Sequence, residues 1–140
     1  MRAQTILPAS PARSVQGPLL LLPEPISFWG GVDATSGLII DGQCSKCGSS
    51  VAHTVLAVAE LRGSSSASAV LLELIYRNRA PAAILLTEVD AILVLGAITG
   101  REMGWQTPPI LRVAKADLVS LAPDCVVEID PTGHLSLRSR

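Results

Sequence analysis

Apolar residues gather in short runs separated by turn residues, and the period lengthens twice into a helical one. Leu19 to Leu22 is a buried strand, preceded by Gly17-Pro18 and closed by Pro23-Glu24-Pro25. Leu38-Ile39-Ile40 reads as a second strand and residues 54–59, with Val55-Leu56-Ala57-Val58-Ala59, as a third. From about 66 to 78 the spacing becomes helical. Val70, Leu71, Leu74 and Ile75 share one face, Glu73 and Arg77 lie opposite, and Arg77-Asn78-Arg79-Ala80-Pro81 ends the run. Ala82 to Leu86 predicts a buried parallel strand. Asp90 caps a second predicted helix over 90–101, in which Ile92, Leu93, Leu95, Gly96 and Ile98 are expected to be mostly buried. Ile110 to Val113 is a further strand, and Cys125–Ile129 with Leu135–Leu137 flank Pro131-Thr132-Gly133 as a closing hairpin. Residues 1–12 carry two prolines and little periodicity, which predicts a loose N-terminal arm or a first edge strand.

Strands first, then β-α-β-α-β, then a hairpin predict an α/β domain. Its sheet is mostly parallel at the centre, with antiparallel strands at the edges. At 140 residues the chain is expected to be a single domain over 1–140. Hydrophobic residues make up 49% but aromatic ones only 3%, so the core is built from Ala, Val, Leu and Ile. The net charge of −1 and the lack of a basic stripe argue against nucleic acid as a partner. No apolar run approaches membrane-spanning length, and the N-terminus lacks a secretion signal, so the expected location is the cytoplasm.

The candidate chemistry centres on Arg62-Gly63-Ser64-Ser65-Ser66, between a buried strand and a helix. Gly63 permits a turn and close approach of a ligand, and the serines offer hydroxyls beside the unpaired N–H groups and positive end of the helix. Such a turn suits a carboxylate or phosphate; the same residues also suit a plain helix cap. Its position beyond the carboxyl end of a parallel strand is where ligands bind in open α/β sheets. Gly30-Gly31-Val32-Asp33, continuing to Gly37, is a second candidate, open equally to a hairpin-type loop. Cys44-Ser45-Lys46-Cys47 is a C-x-x-C in a glycine- and serine-rich loop: half of a metal site, a redox pair, or two loop thiols without either role. Cys125, within an apolar run, belongs to the core. His53 and His134 are isolated, and no Walker loop, dinucleotide fingerprint or Ser/His/Asp set is present. A half-site is easier to build from these residues than a whole one.

The chain resembles the small subunit, or swivelling domain, of the aconitase X group of the aconitase superfamily. The resemblance covers roughly residues 15–113. It rests on Gly17-Pro18-Leu19-Leu20, on Pro25 to Asp33 with Thr35 and Gly37, and on Arg62 to Ser66. It continues through Val70 to Ile75, Ala80-Pro81-Ala82-Ala83-Ile84 and Ala91-Ile92-Leu93. It implies a swivelling β/β/α domain that closes over a large partner carrying an iron or iron–sulfur centre, in a heterodimer or higher assembly, with no cofactor or metal held by this chain alone. It also implies a hydro-lyase reaction on a small carboxylate substrate, in which a serine of the small domain removes a proton.

Gly63-Ser64-Ser65 matches the Gly-Ser-Ser turn in which aconitases carry that base, so the resemblance makes Ser64 the base. Arg62, Gly63, Ser65, Ser66, Gly30, Gly31 and Asp33 are then the substrate-binding candidates. Three departures stand out. Ser66-Ala67-Ser68 replaces the Arg-Glu-His run that follows the turn in ordinary aconitases, leaving Arg62 as the substitute cation. Ala59-Glu60-Leu61 precedes the turn in place of Pro-Ser-Gly, and the C-x-x-C replaces a His-Pro start to the loop at 42–50. Reactions known in the group are dehydration of cis-3-hydroxy-L-proline, typical of bacteria, and of phosphomevalonate, typical of archaea. The lysine-poor, arginine-rich composition leans to the former. The alternatives are the phosphomevalonate enzyme's small subunit and a non-catalytic anion-binding or interaction module.

Overall fold

A computed structural model describes all 140 residues. Seven strands form one sheet: β1 (Gln4–Leu7), β2 (Val15–Leu22), β3 (Val55–Val58), β4 (Ala83–Leu86), β5 (Ile110–Arg112), β6 (Cys125–Ile129) and β7 (Leu135–Ser139). Their spatial order is β1-β5-β4-β3-β2-β6-β7. The pairs β2–β3, β3–β4 and β4–β5 are parallel, whereas β1–β5, β2–β6 and β6–β7 are antiparallel. The sheet curls until its ends meet. The Ala3 N–H donates to the Gly133 carbonyl (3.0 Å), the Leu135 N–H to that of Met1 (2.8 Å), and Arg2 bridges His134. A Cβ at Gly133 would sit 2.9 Å from the Ala3 carbonyl oxygen, so only glycine lets the seam close there.

The strands split their side chains between two cores with the period of two that a pleated strand imposes. Val55, Ala57, Ala83, Leu85, Leu111 and Val113 point inside the curl with Cys125, Val127 and Leu135. Leu56, Val58, Ile84, Leu86 and Ile110 point outward, where helices cover them. Those covers are α2 (Ala67–Tyr76) and α3 (Ala91–Glu102), the crossovers from β3 to β4 and from β4 to β5. A single turn, α1 (Phe28–Gly31), and the short α4 (Lys115–Val119), which adds Leu118 to the inner core, complete the fold. No helix is long and apolar enough to cross a membrane.

The α/β class, the parallel centre and the antiparallel edges are as the sequence predicts. Of the two expectations for residues 1–12, the edge strand holds over 4–7, which pair with β5. Two local expectations change. Leu38–Ile40 is not a sheet strand. Ile39 only bridges Val32, and Leu38 only bridges Ser50, inside a self-contained loop. Ile92, Leu95 and Ile98 are exposed, at 37%, 55% and 37%, because Leu93, Gly96, Ala97 and Gly100 are the residues α3 turns inward.

Candidate functional site

The central turn is positioned from both sides. On its strand side the Arg62 N–H donates to the Ile26 carbonyl (2.8 Å), and the Ile26 N–H to that of Glu60 (3.1 Å). On its helix side the Ser64 carbonyl accepts from the Ala67 N–H (3.1 Å). The Ser64 hydroxyl oxygen accepts from the Ser66 N–H (3.2 Å). Ser64 Oγ therefore lies at the N-terminus of α2, next to N–H groups and the positive end of the helix dipole. Ser64 is half-buried, while Arg62, Gly63 and Ser65 are exposed. The chain's one ion pair joins Arg77 to Glu73 (2.6 Å), so the Arg62 guanidinium is uncommitted.

α3 begins beside this turn. Asp90 caps it by accepting from the Leu93 N–H (2.9 Å). The other Asp90 oxygen lies against Gly63, 3.3 Å from where a Cβ would stand. The two helices run side by side, and a Cβ on Gly96 would come within 2.6 Å of the Ser68 carbonyl oxygen and 2.9 Å of its Cα. Beyond the carboxyl ends of β3, β4 and β5 opens a cleft of about 390 Å³, lined by Glu60, Thr87, Glu88, Asp90 and Lys115 among others. The Thr87 hydroxyl ties its two walls by donating to the Ala59 carbonyl (3.1 Å). Three carboxylates face one ammonium in this cleft. The sequence reading missed it, although it lies where parallel-sheet ligands bind and Thr87-Glu88-Val89-Asp90 follows β4 directly.

The glycine-rich candidate separates into two parts. The two adjacent glycines serve different ends, one an unusual dihedral and the other a close approach. Gly30 has a φ of +79°, and a Cβ on Gly31 would come within 2.8 Å of Ile26 Cγ1. From the Ile26–Leu61 bridge the loop starts beside the turn and passes alongside α2. Gly37 packs at the far end of that helix, where a Cβ would stand 3.3 Å from the Arg79 carbonyl oxygen. Asp33 belongs to that far end. Its carboxylate accepts from the Ser36 hydroxyl (2.7 Å) and the Thr35 N–H (3.3 Å). The Ser36 hydroxyl, then the Thr35 N–H, with a smaller pull from Arg77, hold its pKa below the usual carboxylate value. Ten helical residues, about 15 Å, separate it from Ser64. Asp33 is thus a turn-forming residue remote from the site.

Cys44 and Cys47 share one turn, the Cys47 N–H donating to the Cys44 carbonyl (3.1 Å), while Cys125 lies apart. Cys44 is buried, with its thiol pKa raised by desolvation; Cys47 is exposed; and Cys125 lies in the inner core. No group of three or more His, Cys, Asp or Glu is placed to hold a metal ion. This donor set does not fit an iron–sulfur cluster. His53 and His134 are both exposed and stand apart from the turn.

Residues 5–137 match a family model described as the aconitase X swivel domain. A cis-3-hydroxy-L-proline dehydratase of Pseudomonas aeruginosa is 48% identical over 99 residues, which are 71% of this chain and 17% of that protein. The phosphomevalonate dehydratase small subunit of Methanopyrus kandleri is 33% identical over 118 residues, 82% of this chain and 87% of that one. The chain therefore spans about a sixth of the first relative and most of the second. The crystal structure of Thermococcus kodakaraensis aconitase X in its holo-form superposes with a TM-score of 0.83 at 26% identity, covering 99% of this chain and 97% of that one.

Proposed function

The chain belongs to the aconitase X swivel-domain family, and from this we propose that it is the small subunit of a hydro-lyase. In this reading Ser64 supplies the general base of an active site shared with a large partner chain, in a heterodimer or higher assembly in the cytoplasm. The iron or iron–sulfur centre belongs to that partner. The observation that carries the reading is the Ser66 N–H donating to Ser64 Oγ at the head of α2. A neutral serine is too weak a base to take a proton from carbon. Its alkoxide becomes accessible only where fixed donors and a positive dipole stabilise the developing charge. The turn supplies both, and Arg62 adds a mobile cation for the substrate carboxylate. The proton leaves the carbon that bears the carboxylate, hydroxide leaves the neighbouring carbon, and a double bond forms between them.

Cis-3-hydroxy-L-proline suits this site better than phosphomevalonate. Its ring ammonium is accommodated beside Glu60, Glu88 and Asp90, where a phosphorylated substrate would meet three like charges against one lysine. The stronger identity to the hydroxyproline enzyme, 48% against 33%, points the same way. The test is anaerobic co-expression with the large aconitase X chain, followed by assay for water loss from cis-3-hydroxy-L-proline. Turnover that needs both chains is expected. An intact, metal-loaded complex that dehydrates only phosphomevalonate would overturn the substrate assignment; one active on neither would leave the anion-binding module.

A further inference from the structure

Up to Gly100, α3 is apolar apart from Thr99, whose hydroxyl donates back to the Leu95 carbonyl (2.9 Å). From Ala91 to Gly100 it carries no charged residue, and its first charge is Arg101 in the last turn. With 100° per residue, Leu93, Gly96, Ala97 and Gly100 face the core while Ala91, Leu95 and Ile98 face directly away from it, with Ile92 to one side. Val89, just before the cap, is 50% exposed and extends the strip towards the cleft. The neighbouring α2 does the opposite and turns its Glu73–Arg77 pair to solvent. A helix that is hydrophobic all round is normally covered on all sides, and a contiguous exposed apolar strip marks an interaction surface.

We infer that the outward face of α3, formed by Val89, Ile92, Leu95 and Ile98, is the seat of the large aconitase X chain; this rests on the function proposed above. Two observations choose that occupant over a second copy. The hydroxyproline dehydratase that is 48% identical carries more than four-fifths of its length outside the region shared with this chain, so a large body accompanies this domain there in one polypeptide. The strip is also continuous with the site, because the Asp90 carboxylate at the head of α3 lies beside Gly63 of the serine turn, 3.3 Å from where a Cβ would stand. A chain that completes the site around Ser64 meets the N-terminal half of α3 on the way.

The variants Leu95→Asp and Ile98→Asp test this by placing a charge on the strip at half-exposed positions, so circular dichroism and melting of the isolated chain stay near wild type. Binding to the co-expressed large chain, read by biolayer interferometry, is expected to weaken by about thirtyfold or more, while Ser64→Ala binds as wild type does. Unchanged affinity in both aspartate variants would overturn the inference. So would a wild-type homodimer, seen by sedimentation, that either variant dissolves. Absence of any complex with the wild-type chain would overturn the proposed function as well. A complex that forms, depends on Leu95 and turns over neither substrate would uphold the docking face alone.

Discussion

Replacing Ser64 separates the local hydrogen bond its hydroxyl makes from the general-base role proposed for it. In the turn leading to the N-cap Ser66, the hydroxyl accepts one N–H at 3.2 Å, a long bond, so Ser64→Ala is expected to cost about 1 kcal/mol. Spread over the unfolding entropy of a 140-residue domain, roughly 0.3 kcal/mol/K, that lowers Tm by about 3 °C. As a base the same hydroxyl is worth far more, because general-base catalysis contributes about 10²–10⁴-fold. Turnover of the assembled complex should therefore fall at least about a hundredfold, or roughly 2.7 kcal/mol in the barrier, with association unchanged. Ser64→Asn sharpens the comparison, since asparagine caps helices about as well as serine but is no base. Its melting should return to near wild type while turnover stays lost. The measurements are differential scanning fluorimetry of the small chain and steady-state dehydration by the complex. Near-normal turnover in the alanine variant would refute the reasoning, as would recovery of both properties in the asparagine variant.

Arg62→Lys should raise KM about tenfold or more despite the kept charge, since a point charge does not replace a two-pronged guanidinium on a carboxylate; unchanged kinetics would remove Arg62 from the substrate. Cys44→Ser with Cys47→Ser should leave turnover per folded molecule within about twofold, because no third His, Cys, Asp or Glu joins the pair to hold a metal ion. Metal loss from that complex, measured by elemental analysis, would overturn the assignment of the metal centre to the partner alone. Gly96→Ala should destabilise by about 1–2 kcal/mol, because overpacking against the Ser68 backbone outweighs alanine's helix preference of about 1 kcal/mol. A denaturation midpoint at or above wild type would contradict it. Asp130 accepts from the Thr132 hydroxyl and N–H and from the His134 N–H, the hydroxyl bond being the leading cause of its lowered pKa. A folded pKa below the unfolded one gives stability that is present above about pH 4 and lost as pH falls through the folded value. Asp130→Ala should thus lower the urea midpoint at pH 7 and match wild type in strong acid. A gap that stays constant with pH would refute this.

The sequence displayed the elements whose burial is settled within the chain. The runs at 54–59 and 82–86 are apolar at every position because their alternate side chains feed two cores, one inside the curl and one beneath the helices. The serine turn was legible for a related reason, since glycine and hydroxyls between a buried strand and a helix have few local uses. Leu38–Ile40 misled because three apolar residues suffice to tie a loop to itself. α4 was missed because Ala114 at its N-cap position makes no side-chain cap bond. Asp33 misled differently. Closeness to Gly30 and Gly31 in sequence says nothing of which end of a ten-residue helix a loop has reached. With α3 the error lay in taking every apolar residue as buried, since Leu93 and Gly96 are buried but Ile92, Leu95 and Ile98 are exposed. Periodicity records that a residue is apolar, not whose surface covers it.

The exposure of the serine turn and of the α3 strip has one physical explanation. Ser64 is only half-buried, in the turn whose Gly63 lies beside Asp90 of the cleft wall. An alkoxide there would be solvated and protonated, because donors and dipoles gain their strength only where water is excluded. This chain leaves the turn open, with Arg62, Gly63 and Ser65 exposed and Ser64 half-buried. In the proposed function the missing wall comes from the large chain, and the apolar strip beginning at Val89 offers it a footing. Docking and base activation are then one event, in which the contact that buries Leu95 and Ile98 also dries Ser64. A strip variant driven onto the large chain by excess concentration should therefore recover turnover in proportion to occupancy, whereas Ser64→Ala should recover none at any concentration.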